Sequence, residues 1–268
     1  MADKINLVEL HDFLNESYLK YNQKAFIEND PICIPHLFTK KEDIEIAAFL
    51  AATIAWGNRK SIITNGTKLM QWMDFEPHQF ILNHSKKELK PFQNFVHRTF
   101  NANDCLFFIE SLKNIYSKHN GLEASFSIVN DDADSYRDGN ELKQRIVNFR
   151  KLFLQPKHLP RSDKHISNPD KKSSAKRLCM FLRWMVRKDN CGVDFGIWKS
   201  ISPATLCLPL DVHTGNVSRQ LKLLSRTQND WQAVEEITVV LKTFDDKDPI
   251  KYDFALFGIG VNKELFFN

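Results

Sequence analysis

Apolar residues recur at three- and four-residue intervals through most of this chain, and few breakers interrupt them: glycine and proline together number 19 of 268 residues. Such spacing gathers apolar side chains on one face of a helix. Leu7, Leu10, Leu14 and Tyr18 mark a first helix that ends before Asp30-Pro31. Ile44, Ala47, Ala48 and Ala51 mark a second, very apolar one. Ile62, Ile63, Leu69 and Met73 mark a third, ending before Pro77. Leu106, Ile109, Leu112 and Tyr116 mark another, closed by Asn120-Gly121. Leu142, Ile146, Phe149 and Phe153 mark one before Pro156. No two-residue alternation is sustained enough to predict a sheet. The expectation is an all-α protein.

Two stretches break the pattern. Gln155–Lys172 carries three prolines and many charges and reads as a loop. Asn130–Gly139 is acidic but lacks the closing glutamate of a calcium loop, so it reads as a solvated turn. Hydrophobic residues make up 43% and charged residues 26%, which suits a soluble chain with one large domain or two small ones. The longest apolar run, Ile46–Trp56, is 11 residues. A membrane span needs about 20, so none is predicted. The charged N-terminus does not read as a signal peptide. Five scattered cysteines without a Cys-x-x-Cys pair give no zinc or iron–sulfur motif and suit reduced thiols.

The net charge of +4 is unevenly spread: residues 151–188 hold 11 Lys/Arg against 2 Asp. A concentrated basic segment points to a polyanion partner, the alternative being a solvated cationic loop. Within it, Lys176 to Arg187 reads as an amphipathic helix. Met180, Arg183 and Arg187 share a face with Lys176, and Leu178, Phe181, Leu182 and Met185 lie opposite. Ser173 or Ser174 would cap its start, where Lys171, Lys172 and free N–H groups would bind a phosphate.

Asp211 stands before the next helix, marked by Val217, Leu221 and Leu224. Aspartate there is a favoured N-cap, and a capping carboxylate could also stabilise a cation developing on a sugar. His213 has no second histidine near it to make a metal pair. A lysine can act as a Schiff-base nucleophile only when its amine is neutral, which burial or neighbouring cations such as Arg177 and Arg183 promote. A phosphate contact is the commoner use of a lysine in a basic helix.

Arg183-Trp-Met-Val-Arg187, Pro209-Leu-Asp-Val-His213 and Asp248-Pro-Ile-Lys-Tyr-Asp-Phe-Ala-Leu-Phe-Gly-Ile-Gly260 resemble the helix-hairpin-helix DNA glycosylase superfamily of endonuclease III and 8-oxoguanine DNA glycosylase. So do Asp30-Pro31 to Pro35-His36 and Ile46–Gly57, and the closest likeness is to an uncharacterised bacterial family within that superfamily. The resemblance implies two helical subdomains with a helix-hairpin-helix element and an interdomain cleft. One would comprise residues 43–188 with the hairpin; the other, residues 1–42 plus 189–268. It implies Lys176 as nucleophile and Asp211 as catalytic carboxylate, with Lys171, Lys172, Ser173, Ser174, Arg183 and Arg187 on DNA phosphates. Trp56, Trp198, Tyr252, Asp253 and Phe257 become base-pocket candidates. The chain departs from the superfamily pattern in three places: residues 155–175 contain no glycine, the Lys176–Asp211 spacing is long, and Ala52-Thr53 stands where endonuclease III has a wedging glutamine.

The implied activity is base-excision DNA repair: a glycosylase, with or without lyase chemistry, that flips a damaged base such as an oxidised purine out of a duplex. The expected partner is lesion-bearing DNA, with RNA as the alternative ligand. The chain is expected to be monomeric, cytoplasmic and nucleoid-associated, with no metal or cofactor. The rival expectation is a non-catalytic DNA- or RNA-binding protein on the same scaffold, and a helical protein-interaction domain ranks third.

Overall fold

The computed structural model describes residues 7–127 and 141–264, so the acidic turn predicted over 130–139 lies outside the described residues. In chain order the α-helices are α1 (Leu7–Tyr21), α2 (Ala25–Glu28), α3 (Lys41–Thr53), α4 (Arg59–Trp72), α5 (Pro77–Asn83) and α6 (Ala102–Lys118). They continue with α7 (Gly121–Ser127), α8 (Glu141–Phe153), α9 (Lys176–Val186), α10 (Val212–Gln220), α11 (Trp231–Phe244) and α12 (Tyr252–Asn262). Among the described residues the strands are β1 (Val96–His97) and β2 (Phe100–Asn101), a short antiparallel hairpin pairing His97 with Phe100. The chain is thus mostly helical, as its periodicity predicts. No described helix is long and apolar enough to cross a membrane.

The chain divides into two units, each built from separated segments. The second comprises Ile27–Asn168 and Ile197–Ile201. Its centre is α3, whose residues from Asp43 to Thr53 are all buried, because a helix apolar on every side must be surrounded. Phe49 of α3 meets Phe108, Phe149 and Phe153 at centroid separations of 5.3–5.9 Å, tying α3 to α6 and α8. The detached piece 197–201 is held by Trp198, which donates its indole N–H to Glu45 Oε1 at 2.6 Å. Tyr116 donates to the other Glu45 oxygen at 2.7 Å. Glu123 receives the backbone N–H groups of Lys199 and Ser200.

The first unit comprises Met1–Phe26, Pro169–Gly196 and Ser202–Asn268. Within it α12 packs against both α1 and α10. Glycine makes the α1 approach feasible: a methyl group at Gly258 would lie 2.2 Å from the Tyr21 ring.

These boundaries correct the expected division at residues 43 and 188. Residues 27–42 belong to the second unit because the short helical turns at Pro31–Cys33 and Pro35–Leu37 pack on α3. Residues 169–188 belong to the first unit because Arg183 and Arg187 are bound by carboxylates from 189–194 and 248–253.

Gly258→Ala should therefore force α1 away from α12, at a cost of about 1–3 kcal/mol. Urea unfolding monitored by circular dichroism measures this; an unchanged midpoint would show that the contact is slack.

Candidate functional site

Glycine-free residues 155–175 still have to turn the chain sharply into α9. Two non-glycine residues take the left-handed conformation to do so, Lys172 at φ 65° and Ala175 at φ 48°. Such positions are uncommon outside glycine and cluster at functional sites. Ala175 is the residue preceding α9, with no side-chain cap, so neither Ser173 nor Ser174 is the N-cap that the sequence predicts. Ser173 Oγ instead accepts the Ala175 N–H at 3.2 Å, and Ser174 Oγ donates to Leu210 O at 3.4 Å. Trp231 N donates to Lys172 O at 3.3 Å. The turn is thereby tied to the segments before α10 and at the start of α11. Lys171 and Lys172 remain exposed.

Lys176 is the first residue of α9, and Asp211 is the N-cap of α10. One Asp211 oxygen, Oδ1, accepts the N–H groups of His213 at 2.8 Å and Thr214 at 3.0 Å. Thr214 Oγ1 in turn accepts the Asp211 N–H at 2.9 Å, and Asn229 Nδ2 donates to Asp211 O at 2.9 Å. Gly215 leaves room for Asn229, whose Oδ1 would be 2.7 Å from any Cβ there. The carboxylate is thus fixed through its backbone and one oxygen. The other oxygen, Oδ2, lies 3.8 Å from Lys176 Nζ, and both side chains keep part of their surface open, 27% and 21%. The sequence-predicted pair is brought together.

The predicted cationic stripe is not a surface feature. Every residue from Leu178 to Val186 is buried, and Arg187, just past the helix, is 0% exposed. Arg183 donates to Asp253 Oδ2 at 2.5 Å and Asp194 Oδ1 at 3.2 Å. Arg187 binds Asp194 at 3.0 Å, Asp248 at 3.0 Å and Asp189 at 2.6 Å, and donates to Tyr18 OH at 2.9 Å. The assignment of Arg183 and Arg187 to DNA phosphates is therefore corrected: their charges are spent on internal carboxylates. Burial works against the Arg187 charge, but Asp194, Asp248, Tyr18 and Asp189 more than offset it, and its pKa is raised. Burial lowers Arg177 to about 10, which leaves it cationic at neutral pH.

Asp253 connects this network to the Lys176–Asp211 pair. Burial, opposed by Arg183 and reinforced by the charge of Asp211, raises its pKa to about 6, and Lys176 acts in the lowering direction. Asp253 is 5% exposed. It is thus a buried neighbour of the pair rather than an open pocket wall. Tyr252 is fully buried, its OH 3.3 Å from Asn15 Oδ1, and Trp198 is 1% exposed against Glu45. Both are core residues, which corrects their placement in a base pocket. Trp56 is half-buried in the second unit. Phe257 is half-buried, with its ring 6.1 Å from His213 and 6.3 Å from Phe26. His213, Asn216, Val217 and Gln220 of α10 face Ile259 and Gly260 of α12 and the following Lys263 across a shallow hollow.

Sequence reasoning missed Asp189, Asp194 and Asp248 as partners of the arginines. The available signal was the apolar run Leu178–Val186, interrupted by Arg183 alone and leading straight into Arg187, which calls for burial and hence for counter-charges.

The chain belongs to the DUF2400 family, described as a protein of unknown function, whose model matches residues 30–262. No curated protein and no solved structure matches the chain.

Arg187→Leu should cost about 3–5 kcal/mol, because buried carboxylates would lose their counter-charge. A urea midpoint close to wild type would contradict the network. Folded Asp253 keeps its proton up to about pH 6, whereas the unfolded chain releases it near 3.8. Its contribution is complete below that lower pH and is lost as the pH rises through 6. Asp253→Asn, which stays neutral, should therefore gain on wild type by about 3 kcal/mol between pH 4 and pH 8. Parallel pH-stability curves for the two proteins would refute the shift.

Proposed function

We propose that this DUF2400 chain is a DNA glycosylase with lyase capability, acting through Lys176 and Asp211 on a damaged base flipped from a duplex. The observation that carries the reading is the division of Asp211 between its two oxygens: Oδ1 caps α10, while Oδ2 faces the Lys176 amine at 3.8 Å. An amine and a fixed carboxylate at two helix starts supply what glycosidic cleavage requires. As the C1′–N bond breaks, its electron pair leaves with the base, and the positive charge left on the sugar is stabilised by Asp211 Oδ2. The Lys176 amine, once it has given up a proton, then bonds to C1′, and the proton released on bond formation passes to solvent or to the departing base. Sugar-ring opening gives an imine that borohydride can reduce.

Two further features support this reading. The left-handed residues Lys172 and Ala175 make a tight turn that presents Lys176, the place a hairpin glycine would hold in the resembling superfamily. Lys171 and Lys172 are exposed beside it as phosphate contacts, with Ser173 and Ser174 shaping the backbone.

The test is incubation with duplexes carrying 8-oxoguanine, uracil or an abasic site, with borohydride present. Wild type should form a covalent adduct on at least one of them. Lys176→Gln should abolish the adduct, and Asp211→Asn should slow base release by about a hundredfold. No adduct with wild type, or undiminished trapping by Lys176→Gln, would overturn the lysine assignment.

A further inference from the structure

Three segments of the second unit meet around Trp56. Its indole stands edge-on to His97 at 5.2 Å and stacks on His165 at 6.0 Å. His97 is gripped on both ring nitrogens, with Nε2 3.2 Å from Trp56 O and Nδ1 2.9 Å from the Asn65 amide. The next residue, Arg98, lies at the turn of the β1–β2 hairpin, in the left-handed region at φ 54°. Its side chain runs along Gly57, where a Cβ would come within 2.9 Å of Nη1. Arg161 reaches the same hairpin, donating to Thr99 O at 2.9 Å and Asn101 Oδ1 at 2.7 Å. The loop after α3, the hairpin turn and the helical turn Pro160–His165 are therefore locked into one surface.

The segments that build this surface are rich in cations. Residues 54–72, 94–103 and 155–168 hold seven Lys/Arg and a single acidic residue, Asp163. Asp163 is already engaged by Arg150 and His158. Asp104, which binds Arg161, is fully buried beneath it. Lys60, Arg98 and Lys164 are exposed, and Trp56 is half-buried among these segments. Cations flanking a partly open aromatic ring suit a polymer of phosphates and flat bases, since the ring offers a stacking surface that an acidic peptide leaves unused.

We propose that this face of the second unit binds a nucleic-acid strand, with Arg98 and Lys60 on its phosphates and Trp56 against a sugar or base. The assignment is independent of the Lys176–Asp211 chemistry and is tested by binding alone. Fluorescence anisotropy with a labelled DNA duplex, and with one of its strands, is measured in the full-length Lys176→Gln protein so that no cleavage intervenes. Reversing the exposed cations with Lys60→Glu and Arg98→Glu should weaken binding roughly tenfold or more at low salt. The slope of log affinity against log salt should become shallower by about two. Trp56→Phe should retain binding and Trp56→Leu should lose several-fold, with circular dichroism confirming that both variants fold. Unchanged affinity and salt slope in the double variant would overturn the proposal, and so would equal binding of polyglutamate. Absence of an adduct with the wild-type protein, with binding retained, would count against the lysine chemistry and leave this surface standing.

Discussion

Arg187 holds the first unit together by being a charge with nowhere to go. It is removed from water, so its guanidinium must be satisfied by protein, and four residues from three chain segments converge to do it. Asp189 and Asp194 come from the turn after α9, Asp248 from the approach to α12, and Tyr18 from α1. Arg183 repeats the arrangement one turn earlier with Asp194 and Asp253. The rings of Tyr18 and Phe254 add faces on which the guanidinium rests, at 5.3 and 5.5 Å. Such a buried network is weak evidence for net stability, because desolvation offsets much of the attraction, but breaking it leaves bare charges inside. Its stronger effect is on register. Once α9 is set by its arginines, Lys176 at its head is aimed, and α12 is brought beside it through Asp253.

Much of the fold was legible because helices announce themselves locally. The apolar positions chosen in α1, α3, α4, α6 and α8 fall in helices of the structure, except Met73, which caps the end of α4, and Pro77, Gly121 and Pro156 sit at or just beyond helix ends. The division into units was less legible. Periodicity says which face is apolar but not which distant segment covers it. Nothing local in Trp198 reveals that its partner is Glu45, far earlier in the chain.

The site divides the same way. Asp211 was readable because N-capping is a short-range signal, and the N–H groups it accepts, those of His213 and Thr214, lie two and three residues on. Its closeness to Lys176 followed from the family resemblance, not from spacing. Arg183 and Arg187 were misread because the helical wheel sorts residues into faces without saying whether any face meets water. The carboxylates that neutralise them lie as many as 70 residues away. Tyr252 and Trp198 were misread for a related reason: a large aromatic ring suits a pocket and a core equally well, and burial decides between them.

The five-residue segment Ile197–Ile201 is counted with the second unit while both its flanks belong to the first. The polypeptide therefore passes from one unit to the other four times. A ribosome releases the chain in order, so the second unit cannot seat Trp198 on Glu45 until most of the sequence has been synthesised. The first unit must in turn wait for α12 before Arg183 and Arg187 meet Asp253 and Asp248. Neither unit can be cut out as a continuous fragment, and a truncation or circular permutation at these crossings would disturb both. The order of synthesis thus completes the second unit about three quarters of the way along the sequence and the first unit only with its last segment.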